Sequence, residues 1–88
     1  MTEPFDDIAP TSDELTEYDR AHVRLYTRLL DATADGAAWQ EIVAILFGMD
    51  PVREPDRSRE VYDSHLARAR WMSQTGFRLL LGDRAVRR

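Results

Sequence analysis

An all-α fold is what the sequence predicts: one small helical domain with four helical segments in a helix-turn-helix arrangement. Three observations predict it. Apolar residues recur at spacings of three and four, as one face of a helix requires. Glycines at positions 36, 48, 76 and 82 punctuate those stretches, where helices commonly stop. No run alternates apolar with polar residues as a half-buried strand would. The 88 residues include no cysteine, so packed helices must supply the stability of a domain near the smallest size that folds unaided.

The elements follow in order. Residues 1–10 hold two prolines, three acids and the isolated apolar residues Phe5 and Ile8, which predicts a flexible acidic arm. Thr11-Ser12-Asp13-Glu14 reads as a helix start, with Thr11 as N-cap and Glu14 closing a capping box. A first helix then extends to about Ala34. Tyr18, His22, Leu25, Leu29 and Ala32 form its buried stripe, widened by Tyr26 and Leu30, while Arg20, Arg24 and Arg28 lie outside. Gly36 supplies the stop.

A short second helix is expected over residues 38–47, ended by Gly48. Ile42, Val43, Ile45, Leu46 and Phe47 make it apolar around more than half its circumference, as for a helix sandwiched between two others. Residues 49–56 form a long turn. A third helix is expected over 57–74 with Tyr62, Leu66, Ala69 and Met72 inward. Thr75-Gly76 breaks it, and Phe77, Leu79, Leu80 and Leu81 close the domain as a brief fourth segment. The domain thus spans 11–82, followed by a basic tail over 83–88. Leu25, Leu29, Ile42, Leu46, Leu66 and Leu80 should share one core.

Charge is distributed unevenly. The net charge is −4, yet seven acids and no base precede Arg20, and twelve arginines face nine acids from there on. A dedicated duplex binder concentrates basic excess on one face. Glu54, Asp56, Glu60 and Asp63 instead run through the start of the third helix, where a recognition helix would enter the major groove. Such carboxylates oppose phosphate binding. Arg57, Arg59, Arg68 and Arg70 are the residues that a DNA-reading helix would use.

No enzyme chemistry emerges from the residue patterns. His22 and His65 lack the spacing partners of a metal site, and the serines and threonines sit at caps or on helix surfaces without a nucleophile elbow or phosphate loop. No metal and no cofactor are expected. Trp39 and Trp71 lie off the inward stripes, and tryptophan is a favoured interface anchor. With Tyr26 and Arg68 they form the expected partner-binding set. Neither a signal peptide nor an apolar membrane span is read in the chain, which predicts a cytoplasmic location.

Residues 36–48, Gly-Ala-Ala-Trp-Gln-Glu-Ile-Val-Ala-Ile-Leu-Phe-Gly, resemble the signature Gly-Ala-Ser-x-Arg-Glu-Ile-Ala-x-Ala-Leu-Phe-Gly of a bacterial extended-turn helix-turn-helix family found in mobile elements. Ala69-Arg70-Trp71-Met72 and Gly76-Phe77-Arg78-Leu79-Leu80 resemble its closing pattern, so the resemblance covers roughly 18–82. It implies one of two roles: the DNA-reading domain of a transcriptional activator of element transfer, or a single-domain antiactivator that occupies the activator's other, N-terminal domain. Gln40 replaces the family arginine, and Val43 and Ile45 replace alanines. Those departures, and the carboxylates of the third helix, favour the antiactivator over a small DNA-binding regulator or excision factor. The expected partner is therefore a transcriptional activator protein, with weak or no nucleic-acid binding and no membrane.

Overall fold

The computed structural model describes residues 5–76. Its described residues form four α-helices and no strand: α1 (Glu17–Ala21), α2 (Val23–Ala34), α3 (Trp39–Leu46) and α4 (Pro55–Trp71), followed by a single π-helical turn (Met72–Gly76). The expected helix over 77–81, Leu80 within it, and the basic tail lie outside the described residues.

The first helix starts later than Thr11 and is broken. Thr16 is the N-cap, its hydroxyl accepting the Asp19 N–H at 3.1 Å while the Asp19 carboxylate accepts the Thr16 N–H at 3.0 Å. The Thr11–Glu14 signature is instead an irregular segment of bends. At His22 the helix kinks between α1 and α2 (φ −119°, ψ 22°). The cause is local: the His22 ring Nδ1 donates to the Tyr18 carbonyl at 2.7 Å, and the backbone N–H shifts to Asp19, three residues back. A side chain inserted into the i−4 ladder kinks a helix in this way.

Both glycine stops are present. Gly36 and Gly48 adopt positive φ, 84° and 67°, and each is followed by an N–H reaching back into the helix: Ala37 five residues to the Ala32 carbonyl at 3.1 Å, and Met49 six residues to the Val43 carbonyl at 3.2 Å. The bonds at Gly36 form a Schellman termination, and at both sites glycine takes the left-handed conformation without a Cβ penalty. The turn after α3 is held by Asp50, whose carboxylate accepts the Val52 N–H at 2.9 Å. Pro55 at the first position of α4 then adds no unsatisfied donor.

The core lies among α2, α3 and α4. Leu25, Tyr26, Leu29, Ile42, Val43, Phe47, Met49, Val61, Tyr62, Leu66, Ala69 and Met72 form one buried cluster. Of the six residues expected to share a core, Leu25, Leu29, Ile42 and Leu66 do, and Leu46 packs at its edge half-buried. Ile45 departs from expectation: it is 66% exposed, because α3 turns that edge outward.

The centre of the α4 interface differs from its predicted stripe. Ser58, Val61, His65, Arg68 and Met72, spaced three, four, three and four apart, are each at most 3% exposed. Tyr62 and Leu66 flank this line. Three of the five central residues are polar, so their packing demands partners.

The segment expected to be a loose arm lies against α4 over its described part. Phe5 packs on the core, Ala9 is buried, and Asp7 pairs with Arg57.

Candidate functional site

The outer side of α4 and the start of α3 carry the residues singled out for function. Glu54, Asp56, Glu60 and Asp63 are all exposed there. Asp63 accepts both its bonds from the Arg59 Nε, at 3.1 Å, one turn away. Glu54 takes the Arg57 guanidinium at 3.1 Å, and Asp7 takes the same group at 2.8 and 2.9 Å. These bonds hold the Asp7 carboxyl below its usual range and raise Arg57. Two arginines near the start of α4 are thus engaged by carboxylates rather than presented alone.

Trp39 and Trp71 are half-buried, each beneath an arginine. The Arg59 guanidinium lies 5.1 Å from the Trp39 ring centre and 5.7 Å from that of Tyr62, whose rings are 6.2 Å apart. Arg59 thereby bridges two aromatic faces and one carboxylate, a small amphipathic surface between α3 and α4. On the other flank, Trp71 lies against Arg68 at 3.8 Å. Pro10, Thr11, Ala67 and Trp71 line a shallow groove of about 240 Å³ beside it.

Tyr26 and Arg68, expected in the partner-binding set, are buried within the domain. Tyr26 has no exposed surface and Arg68 is 3% exposed. Arg68 donates Nε and an Nη to Asp19 at 2.9 and 2.6 Å, and its guanidinium also reaches the carbonyls of Ser12 and Glu14 at 2.6 and 2.9 Å. The Tyr26 hydroxyl donates to Asp19 at 2.8 Å. Every one of these bonds ends inside the domain, so both residues fasten residues 12–19 to α2 and α4. Burial alone would raise the Asp19 carboxyl; bonds from Arg68, Thr16 and Tyr26 overcome it and bring Asp19 down to about 2. Burial, then the bond to Asp19, pushes the Tyr26 hydroxyl well above its ordinary value.

Asp19 was missed as a key residue because it sits in a run of acids with no distinguishing spacing. A faint signal existed in Arg68, which falls on the inward phase of α4 between His65 and Met72.

His65 is fully buried. Its Nδ1 lies 2.8 Å from the Val61 carbonyl, an acceptor, so that nitrogen carries the proton. Nε2 then accepts the Tyr18 hydroxyl at 2.6 Å, and the Tyr18 oxygen accepts the Asp6 N–H at 3.0 Å. Burial lowers the pKa of His65 below its ordinary value and raises that of Tyr18. Among the described residues no group of three or more His, Cys, Asp or Glu side chains could hold a metal ion, and no helix is long and apolar enough to cross a membrane.

Exposed apolar side chains mark a separate region. Ile45 and Val52, at 66% and 86% exposed, project from α3 and the following turn. Ala32, Ala37, Ile42, Ile45 and Leu46 border a mainly apolar groove of about 220 Å³ between α2 and α3, with Asp35 and Glu41 on its rim. No protein-family model matches the chain, and no curated protein matches it.

Proposed function

We propose that the domain acts by binding a protein, as an antiactivator of the QseM type that occupies the N-terminal domain of a transcriptional activator resembling FseA and blocks transcription of conjugative-element transfer genes. The observation that carries this reading is the charge state of the start of α4: Arg57 and Arg59 are neutralised by Asp7, Glu54 and Asp63, with Asp56 and Glu60 exposed beside them. Nonspecific DNA affinity comes from neutralising phosphates, and ordinary binders reach only about 10⁻⁴–10⁻⁶ M by that contribution. A helix whose arginines already hold carboxylates should do worse. The mechanism is competitive mimicry, in which the domain takes the place of the activator's own helix-turn-helix and sets an acidic face where a basic one is needed. Trp39, framed by Arg59 and Tyr62, and Trp71 remain the expected anchors.

The test compares duplex DNA with the activator's N-terminal domain near physiological salt, by fluorescence anisotropy. Wild type should bind the protein domain and leave DNA free, while Glu60→Arg with Asp63→Arg should gain DNA affinity and a steeper salt dependence. Trp39→Ala or Trp71→Ala should weaken the protein complex with the helical signal retained. Tight sequence-specific binding of wild type to a promoter fragment would replace this reading with a small DNA-binding regulator.

A further inference from the structure

We propose that the face of α4 that holds residues 5–9 is a peptide-binding groove, and that those residues are its intramolecular ligand. The ligand in trans is an acidic segment of a protein partner with an aromatic residue two positions before an aspartate. This goes beyond the antiactivator reading and does not depend on the partner's being an activator.

The contacts resemble those of a docked peptide. Phe5 meets Phe47 edge to face, with ring centres 5.0 Å apart at 78°, and lies 6.3 Å from the His65 ring. Asp7 grips Arg57 through both oxygens. Ala9 is buried at 2% exposure, whereas Ile8 points out at 48%. Residues 5, 7 and 9 therefore face the groove. Two backbone donors complete the recognition: the Asp6 N–H to the Tyr18 hydroxyl at 3.0 Å and the Ala9 N–H to the Ser64 hydroxyl at 3.1 Å.

That chemistry selects a peptide over a nucleic acid. The two hydroxyl acceptors are matched by peptide N–H groups, and a phosphodiester backbone has no donor to offer them. The aromatic floor of Phe47 and His65 suits a single side-chain ring. An open cleft of about 580 Å³ continues past Phe5, bordered by Phe47 and Met49 and by Arg53 and Arg57 interleaved with Asp50 and Glu54.

The strap is also poised for exchange. Its ion pair between Asp7 and Arg57 is nearly half exposed on both sides, open to solvent and to a competing carboxylate. What favours the intramolecular occupant is its effective concentration, on the order of millimolar for a short tether. Weakening the strap should therefore open the groove to a competing peptide without loss of the core.

The experiment uses the full chain carrying Phe5→Ala and Asp7→Asn, with circular dichroism to establish that its helices are retained. A fluorescent peptide with the sequence of residues 1–10 is titrated into this variant and into wild type, with anisotropy as the readout. Saturable binding to the variant, at least about tenfold tighter than to wild type, and its loss when Arg57→Ala is added or when the peptide lacks its Phe and Asp, is the expected result. If the double variant loses helix, Asp7→Asn alone serves, since it removes only the exposed ion pair. Equal binding to wild type and variant, no saturable binding to the variant, or a labelled duplex DNA binding in the peptide's place would overturn the proposal.

Discussion

Two seams hold α4 in place, and they are built from opposite materials. On one side α2 and α3 meet it through Leu25, Leu29, Ile42, Val43, Phe47 and Met72, an apolar contact with no directional demands. On the other side residues 5–19 meet it mainly by hydrogen bonds and ion pairs at Arg68, His65, Ser64 and Arg57, with Phe5 and Leu15 packed at the edge of the core. The apolar seam tolerates adjustment, because burial is roughly proportional to area. The polar seam does not, because each buried group needs a partner at one place and loses its full desolvation cost if that partner goes. So the N-terminal segment is added to the three-helix core with few apolar contacts but with a defined geometry.

Breaking each seam at its centre gives the largest expected effects. Arg68→Ala leaves the Asp19 carboxylate buried without its counter-charge and should destabilise the domain by about 3–5 kcal/mol. Phe47→Ala opens a cavity on the apolar side and should cost about 3–5 kcal/mol as well. Partner replacement separates the two cases in urea unfolding. Adding Asp19→Asn to Arg68→Met should recover much of the loss, since the stranded charge disappears, while no second truncation should rescue Phe47→Ala. Failure of that rescue would mean that Arg68 stabilises through packing on Trp71 rather than through Asp19.

A smaller effect comes from pH. His65 is neutral in the fold, and its folded pKa lies below the unfolded 6.5 because of burial. Above 6.5 both states are neutral and stability is unaffected. As pH falls below 6.5 the unfolded chain takes up a proton that the folded one resists, so stability declines until the folded pKa is reached and then levels off. Around that ring stand Tyr18, His22, Asp6, Asp7 and Ser64, and the two aspartates oppose the shift. Asp19 adds a second decline at lower pH, from 3.8 towards about 2, since its protonation weakens the Arg68 pair. Thermal melts of wild type should slope as pH falls below 6.5, and His65→Gln should flatten that slope. An unchanged slope in His65→Gln would assign the titration elsewhere.

The same division explains what was legible from residues alone. The all-α class, the glycine stops at 36 and 48, and the inward positions of Leu25, Leu29, Ile42 and Met72 are properties of one stretch of chain, visible as a period or a turn residue. The polar seam joins Asp19 to Arg68 across 49 positions and Tyr18 to His65 across 47, and no local pattern encodes such a pair. That is why Arg68 enters the expected partner-binding set, with Tyr26 there as well despite its place on the buried stripe, and why residues 1–10 read as a flexible arm. Thr11 with Glu14 satisfied the capping-box pattern as well as Thr16 with Asp19 does. Burial of Asp19 against Arg68 favours the later start. Glu54, Asp56, Glu60 and Asp63 are exposed, and for the three within α4 the helix phase alone decides it.

The smallest expected change lies outside both seams, at Arg59. Its bond to Asp63 is an exposed pair at i,i+4, worth about 0.3–0.5 kcal/mol. Its position over Trp39 and Tyr62 adds about 0.5–1 kcal/mol at an exposed site. Arg59→Ala should therefore lower stability by no more than about 1.5 kcal/mol, and high salt should remove most of the ion-pair share. The informative readout is Trp39 itself. Loss of a guanidinium 5.1 Å from the indole should move its emission and increase its quenching by iodide, read in a Trp71→Phe background so that Trp39 is the sole indole emitter. Arg59→Lys should restore the charge at Asp63 but not the planar contact with two rings. If Arg59→Lys behaves as wild type in the emission of Trp39, the stacked geometry contributes nothing and the surface between α3 and α4 is an ordinary solvated face.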